Sequence, residues 1–337
     1  MSALRPETWL KPTAKGLYCE PGDFFIDPVS PVPRAVITHG HGDHARANNR
    51  EVLATAETIA IMQSRLGEEA GGSLQPLAYG EALELGGVRV KLVPAGHVLG
   101  SAQVVLEHQG CRVVFSGDYK RRPDPTCPPF EPQACDVFVT EATFGLPVFR
   151  HPPDAQEIEK LLHSLRLFPE RCHIVGVYAL GKCQRVLALL RQHGYGEPVY
   201  IHGALQSMCA LYERFGVRLG PLLPATGAAK EELAGRIILA PPGAISDLWS
   251  RRMPDPISAM ASGWMRVKQR AKARGVELPL VISDHADWDE LTATLRELGA
   301  GEIWVTHGAE EALIRQGQLD GLKARALSLK GFEDEAE

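Results

Sequence analysis

The chain has 337 residues, of which 45% are hydrophobic and 23% charged, and its formal net charge is −5 at pH 7. This length and composition are typical of one large or two ordinary globular domains, and they exclude a disordered or low-complexity chain. The negative charge excludes attraction of nucleic acid by the protein as a whole. Any contact with nucleic acid therefore has to come from local basic patches.

The cysteines are scattered and odd in number. There are seven of them, with no Cys-x-x-Cys pair among them. The N-terminal stretch has no continuous apolar segment, and no run of about 18 apolar residues occurs. These features predict a reduced, cytoplasmic protein without a disulfide framework, a secretory signal or a membrane span.

Short runs rich in β-branched residues recur along the chain, and each ends on a histidine or an acid. In chain order they are RAVITH, VRVKLVPAGH, CRVVFSGD, CDVFVTE, PLVISDH and EIWVTH, ending on His39, His97, Asp118, Glu141, His285 and His307. Such runs, bounded by glycine and proline, are typical of buried strands. Functional groups of open α/β sheets collect at the carboxyl ends of strands, so these residues are candidate site residues.

Helical periodicity appears between these runs. The stretches 54–67 and 154–168 predict two amphipathic helices, the second with Asp154 at its N-cap. The stretch MRVKQRAKAR (265–274) predicts a basic helix. A final helix is predicted to follow Asp287.

The segment AVITHGHGDHARA (35–47) places several metal-capable side chains in one glycine-interrupted loop. With groups from later strand ends they form a set of seven imidazoles and carboxylates: His39, His41, Asp43, His44, His97, Asp118 and His307. Such groups suit Zn²⁺, Mn²⁺ or Fe, and seven of them exceed the ligands of one structural zinc. They suffice for two ions with open positions, an arrangement that favours hydrolysis, especially of phosphodiesters.

The spacing within this segment divides the ligands. His39 and His41 are two residues apart, so in an extended chain they project to the same side and can hold one ion. Asp43 and His44 can face a second ion nearby. Asp118, from another strand end, could bridge both.

At these residues the chain resembles the metallo-β-lactamase-fold hydrolases. HGHGDH (39–44) is similar to their HxHxDH signature, PAGHVLGSA (94–102) resembles the segment of their next histidine, and FSGDY (115–119) resembles that of their bridging aspartate. The resemblance implies two divalent ions, Mn²⁺ or Zn²⁺. It assigns His39, His41 and His97 to one ion and Asp43, His44 and His307 to the other, with Asp118 shared.

Later segments resemble the β-CASP branch of that superfamily, which acts on nucleic acids and includes Artemis and RNase J. The segments are TEATFG (140–145), VYALGKCQRV (177–186), SDHADW (283–288) and VTHGAEE (305–311). The likeness is strongest to the bacterial ligase-associated DNA exonucleases, through LRPETWL (4–10), GLYCEPGDFFIDP (16–28), SGDYKRRPDPTC (116–127) and TEATFGLPVFRHP (140–152).

This resemblance implies an α/β fold with two domains. A metallo-β-lactamase αββα sandwich would comprise residues 1–145 and 276–337, with a β-CASP α/β domain inserted at 146–275. The active site would lie in the cleft between them. The implied function is a metal-dependent DNA nuclease, an exonuclease and a possible single-strand endonuclease in DNA repair, associated functionally with an ATP-dependent DNA ligase and a helicase.

The implied catalytic residues are Asp43, Asp118, Glu141 and His285. An activated water would attack phosphorus while His285 contacts the phosphate and donates a proton to the leaving oxygen. Glu141 would hold His285 in position, as a carboxylate–histidine pair.

Basic residues are the candidates for substrate contacts: Lys120, Arg121, Lys182, Arg266 and Lys268. Lys182 is expected either to contact a phosphate or to be a solvated lysine at a helix start. Arg266 and Lys268 either track a nucleic-acid backbone or belong to an exposed helix face. The stretch 176–183 nearly spells a phosphate-binding loop, but Cys183 replaces the hydroxyl that binds Mg²⁺, which argues against ATP binding.

Two rival functions stay open. One is an RNA-processing β-CASP ribonuclease, and the other is a catalytically inactive β-CASP scaffold. A small-molecule hydrolase such as a lactonase is disfavoured because it would not need the inserted domain.

Overall fold

A computed structural model of the protein describes residues 5–327 and residue 329. The chain forms two compact units, one comprising Met1–Val148 with His285–Glu337 and the other comprising Phe149–Asp284. The predicted boundaries at 145/146 and 275/276 differ from this division. The second lies later because the strand Leu278–Leu280 pairs with a strand of the inserted unit.

The helices are numbered in chain order. They are α1 (Ala56–Leu66), α2 (Asp154–Leu167), α3 (Lys182–Gln192), α4 (Gly203–Arg214), α5 (Lys230–Leu233), α6 (Lys268–Ala273), α7 (Trp288–Glu297) and α8 (Glu310–Leu319). Short 3-10 helices span Pro6–Thr8, Gly67–Ala70, Pro242–Ser246, Ser250–Arg252 and Gly263–Arg266.

The strands are numbered in the same way. Those of the first unit are β1 (Leu10–Thr13), β2 (Gly16–Cys19), β3 (Phe24–Ile26), β4 (Arg34–Val36), β5 (Glu51–Ala54), β6 (Ser73–Pro76), β7 (Ala82–Leu85), β8 (Val88–Pro94), β9 (Ala102–His108), β10 (Cys111–Phe115), β11 (Val137–Ala142), β18 (Glu302–Gly308) and β19 (Ala324–Ala326). Those of the inserted unit are β12 (His173–Gly176), β13 (Val199–Ile201), β14 (Leu222–Pro224), β15 (Ile237–Ala240), β16 (Ile257–Ala261) and β17 (Leu278–Leu280).

The first unit is a sandwich of two mixed sheets with strand orders β1-β2-β3-β4-β5-β6 and β19-β18-β11-β10-β9-β8-β7. Apolar residues of both sheets form one buried cluster between them, for example Leu17, Val104 and Trp304. Ile59 and Met62 of α1 pack in a second cluster with the first sheet. Residues of α7 and α8 form a third cluster with the second sheet. The predicted αββα order of layers is confirmed.

Two helix predictions need correction. The helix after Asp287 begins as predicted, with the Asp287 carboxylate accepting from Glu290 N, but α8 follows it, so it is not the last. At the start of α2, Pro153 occupies the N-cap and Asp154 is the first helical residue. The Asp154 carboxylate instead accepts from Arg185 Nη2, because a buried guanidinium requires an anionic partner.

The inserted unit contains a six-stranded parallel sheet of order β14-β13-β15-β12-β16-β17. Its central strands are buried throughout, as expected for parallel strands covered on both faces. The basic stretch predicted as one helix over 265–274 is a 3-10 turn followed by the short α6.

His173 of β12 provides a pH test of this unit. Its ring is buried against Ser164 Oγ at 2.8 Å, and burial lowers its pKa to about 4. The unfolded chain binds this proton near the ordinary pKa of about 6.5, so stability is lost as pH falls from about 6.5 toward 4, by at most about 3 kcal/mol. His173→Gln is expected to remove that part of the loss, measured as urea midpoints across this pH range. A pH dependence identical to that of the wild type would contradict it.

Candidate metal centre

Asp118 lies at the centre of a buried cluster of histidines. Its Oδ2 is 3.4 Å from His44 Nε2, 3.5 Å from His39 Nε2 and 3.9 Å from His97 Nε2. Its Oδ1 is 3.6 Å from His307 Nδ1. Both oxygens of one carboxylate thus face imidazole nitrogens from separate segments of the chain, the geometry that a shared ligand requires.

The other ligand candidates complete two overlapping groups. His41 Nδ1 lies 3.0 Å from His97 Nε2, and these two share a set of mutually close ligand atoms with His39 and Asp118. His44, Asp118 and His307 form another such set. Asp43 lies close to both His39 and His44, so its assignment to one ion alone is less distinct than the sequence predicted.

Local packing explains the glycines next to these ligands. A Cβ on Gly40 would lie 2.4 Å from Ile61 Cγ2 of α1, so only glycine lets the loop between His39 and His41 pack on that helix. Gly117 has φ +55°, and a Cβ there would lie 2.8 Å from Thr38 Cβ. It allows the chain to turn after β10 and present Asp118 beside the loop.

The charges of the cluster suit a divalent cation. Burial opposes ionisation of Asp118, but His44 and His307 outweigh it and hold the pKa of this carboxyl well below its usual range. Burial also opposes protonation of His44, but Asp118, Asp43 and Asp27 raise the pKa of His44 well above its usual value. Burial lowers the pKa of His39, which is therefore the neutral form that ligates metals. A bound cation would replace the His44 proton.

Unfilled hydrogen-bonding capacity also fits a metal. Over residues 5–327 and 329, the buried atoms of the cluster without a hydrogen-bond partner include His39 Nε2, Asp43 Oδ1 and Asp118 Oδ1. Leaving such atoms unsatisfied is costly in a protein interior, and a metal ion would satisfy them.

Glu141 and His285 form a pair beside this cluster. His285 Nδ1 lies 3.0 Å from Glu141 Oε2, and Glu141 Oε1 accepts from Tyr119 N at 2.8 Å. The backbone N–H of Ala286 donates to Tyr119 O at 2.7 Å. The residue after Asp118 is therefore bonded to both Glu141 and the His285 segment. The ring centroids of His97 and His285 are 4.6 Å apart, which puts His285 against the ligands.

Strained backbone marks two positions of the site. His307 has φ +62° and Asp27 has φ +42°, conformations that a non-glycine residue rarely adopts. The pairing of β11 with β18 also shifts register between Thr140 and Ala142, at Glu141. Such deviations concentrate where the surrounding structure holds functional groups in place.

A family profile matches the part of the chain that contains most of these site residues. Residues 27–172 match the profile of the metallo-beta-lactamase superfamily, a span that contains His39 to Glu141 of the site. This part of the chain is similar to that superfamily. The match supports a metal-dependent hydrolase, and the His/Asp cluster is able to bind metal.

Curated proteins similar to this chain include a nuclease. A probable DNA ligase of Opitutus terrae is 28% identical over 95% of this chain, which spans only 31% of that protein. A ribonuclease of Thermus thermophilus is 28% identical over 92% of this chain and 88% of its own length. The predicted resemblance to metallo-β-lactamase-fold β-CASP nucleases is confirmed by these matches.

A solved structure shares the fold. A protein of unknown function from Enterococcus faecalis superposes with a TM-score of 0.54 at 14% identity, over 88% of this chain and 80% of its own. In the described part of the chain, no helix is both long and apolar enough to cross a bilayer.

Asp27 is a site residue that the sequence analysis missed. It is fully buried and its Oδ2 lies 2.8 Å from His44 Nδ1, while its carboxylate also accepts from Thr38 N and Thr38 Oγ1. It therefore fixes His44 with Nε2 directed at Asp118. The signal was present, because Asp27 directly follows the apolar strand β3, as the recognised residues follow theirs.

Asp27→Asn is expected to lower metal affinity or activity by about 10- to 100-fold, because the amide holds the His44 ring less firmly and supports its basicity less. Metal content and turnover measured across a metal titration would check this. Asp23→Asn is a matched control, since Asp23 lies four residues earlier and accepts from the exposed Tyr18 hydroxyl. Equal effects of the two substitutions would contradict the role of Asp27.

The two basic residues that follow Tyr119, Lys120 and Arg121, make contacts within the protein. Lys120 is buried, with 1% of its surface exposed. Arg121 donates to Thr294 Oγ1 at 2.8 Å and to Glu297 Oε2 at 2.6 Å. The prediction that Lys120 and Arg121 contact substrate stays a prediction, which the burial of Lys120 and the pairing of Arg121 do not favour.

Lys182 is also engaged internally. It is fully buried and its Nζ lies 3.0 Å from Asp284 Oδ2. The expectation of a solvated lysine is wrong, and a phosphate contact would require this ion pair to break. Arg266 and Lys268, in contrast, are exposed as predicted.

Proposed function

We propose that the protein is a metal-dependent deoxyribonuclease that hydrolyses phosphodiester bonds in DNA repair. The observation that carries the proposal is the buried cluster around Asp118, whose oxygens face four imidazoles. Neighbouring buried atoms lack hydrogen-bond partners among the described residues, as ligands awaiting a cation would. Two divalent ions, Mn²⁺ or Zn²⁺, would supply an activated water and stabilise charge on the phosphate oxygens.

In this proposal His39, His41 and His97 would hold one ion and Asp43, His44 and His307 the other, with Asp118 shared. The groups of close ligand atoms support the first set and the pair His44 and His307, whereas Asp43 groups with both His39 and His44. Asp43 and Asp118 would act in catalysis by holding these ions. The neutral state of His39 and the ionised state of Asp118 support ligation near neutral pH.

His285 has the position of a general acid. Glu141 accepts from one ring nitrogen, and the other would donate a proton to the leaving oxygen. Glu141 is itself held by Tyr119 N, so the imidazole has a fixed orientation relative to Asp118.

His285→Gln is expected to lower kcat by about 100-fold, because a positioned general acid contributes at least that much. Metal content should stay at the wild-type value, since His285 is not one of the proposed metal ligands. Single-turnover cleavage of end-labelled DNA measures the effect. Full activity with normal metal content would refute the assigned role.

RNA is the second candidate substrate, because the Thermus thermophilus relative is a ribonuclease and aligns over most of its own length. The relative named as a probable DNA ligase supports DNA and a functional association with a DNA ligase. The ATP dependence of that ligase and the association with a helicase stay predictions. One experiment separates these functions. The protein is stripped with a chelator, reloaded with Mn²⁺, Zn²⁺ or Mg²⁺, and incubated with end-labelled single- and double-stranded DNA and RNA.

DNA cleavage that the chelator abolishes and Mn²⁺ or Zn²⁺ restores is the expected result. Preferential cleavage of RNA would favour the ribonuclease. Absence of cleavage of every substrate by the metal-loaded protein would favour a catalytically inactive scaffold.

A further inference from the structure

Residues 256–276 carry an unusual concentration of charge. They contain five lysines and arginines and no acid, in a chain whose net charge is −5. Four of these cations, Arg266, Lys268, Arg270 and Lys272, are exposed on α6 and the turn before it. They are called the basic ridge below.

The basic ridge is not neutralised by the protein. Within residues 5–327 and 329, none of its four side chains forms a salt bridge, whereas many other exposed cations do. Arg89 and Arg112, for example, both pair with Glu107. Lys268 and Lys272 are four residues apart on α6, so two like charges lie next to each other on one helix face. Lys268 also lies in the first turn of α6, where the helix dipole disfavours a cation.

A small apolar cluster supports the basic ridge. Ala271 of α6 packs with Met260, Met265 and Val281 in a small apolar cluster, which directs the charged side chains outward. Arg270 stacks on the Trp264 ring, with its guanidinium carbon 3.9 Å from the ring centroid. This stacking orients the guanidinium and leaves its N–H groups available for the bidentate contact that arginine makes with phosphate.

From these observations we infer that the basic ridge is a binding surface for the phosphate backbone of nucleic acid. Uncompensated like charges concentrated on one short segment match a polyanion, and neutralising them releases condensed counterions. The inference rests on the proposed function for its choice of nucleic acid over other polyanions. It adds Arg270, Lys272 and the Trp264 stack to the predicted contacts of Arg266 and Lys268.

Salt dependence of binding tests the ridge without turnover. A fluorescein-labelled oligothymidylate is titrated with the full chain in EDTA between about 50 and 200 mM NaCl. For the variant R266Q/K268Q/R270Q/K272Q, the negative slope of log K against log salt is expected to become shallower by about 3, because each single-strand phosphate contact contributes about 0.7. Over this range the wild type then loses about 50-fold more affinity than the variant.

The control removes the same total charge elsewhere. R89Q/R112Q/R166Q/R236Q replaces four exposed arginines that are each paired with an acid, and its slope should equal that of the wild type. Arg270→Lys should weaken binding by about threefold, because lysine neither stacks as well nor forms the bidentate contact. Should the quadruple variant fail to fold, R266Q and K272Q are measured singly, each with an expected slope decrease of about 0.7.

A ridge variant with the wild-type slope, or a control variant with the same decrease, would overturn the inference. Equal affinity for polyglutamate or for anionic lipid vesicles would also overturn it, in favour of a general polyanion surface. The assay needs neither metal nor cleavage, so its failure leaves the proposed nuclease intact. Likewise, a protein that binds through the ridge but never cleaves would refute the proposed nuclease alone.

Discussion

Asp118→Asn is expected to lower kcat/KM for oligonucleotide cleavage by at least about 10³-fold, because stabilisation by the metal ions amounts to several kcal/mol. The amide keeps the shape of the side chain but loses the negative charge. Asp118 lies near His39 of one proposed ion site and near His307 of the other, so one substitution weakens both sites. Elemental analysis of the purified variant should show metal loss in parallel with the loss of cleavage.

Asp124→Asn provides the matched control for Asp118. Asp124 follows in the same segment and is also buried, but its Oδ1 accepts from Thr126 N and Thr126 Oγ1. This control should retain metal. A D118N protein with normal metal content and turnover would exclude a bridging ligand and, with it, the proposed two-ion centre.

The ligand cluster was predictable because its signals are local. Its histidines and acids follow apolar runs, at the strand ends where functional groups of α/β proteins collect. His39, His41, Asp43 and His44 lie within six residues, so no knowledge of distant packing was needed to group them. The αββα layers followed from the resemblance carried by the same segment.

Whether each basic residue is buried and paired was not predictable in the same way. A sequence shows that Lys182 and Arg121 are cations, but not that folding brings Asp284 or Glu297 against them. Burial and pairing depend on contacts between residues far apart in the chain. A run of like charge on a short exposed helix involves no distant partner, and Arg266 and Lys268 were therefore predicted correctly as exposed.

The residue at which a strand ends was likewise not predictable from the sequence alone. The run PLVISDH was predicted to end a strand at His285, yet β17 ends at Leu280. The pairing of β17 with β16 decides where that strand ends and which unit it joins, and register between strands is a tertiary property. Asp27 was missed because its role depends on His44, which lies in another segment.

Lys182→Met is expected to destabilise the protein by about 3–5 kcal/mol, because removing one partner of a buried ion pair leaves the other charge uncompensated. Lys182 is fully buried and Asp284 is 4% exposed, so water cannot replace the lost partner. Urea unfolding followed by circular dichroism measures the change. It should appear as a lower midpoint with an unchanged slope.

Two further variants separate charge from packing. K182M/D284N removes both charges and should regain a large part of the lost stability, since no ionised group is then buried alone. Arg166→Gln breaks an exposed pair with Glu159 and should change stability by less than about 1 kcal/mol, because water solvates both groups already. If K182M were as mild as R166Q, Asp284 would not depend on Lys182. If the double variant were no better than K182M, the loss would come from the packing of the lysine stem, and the ion pair would contribute little to stability.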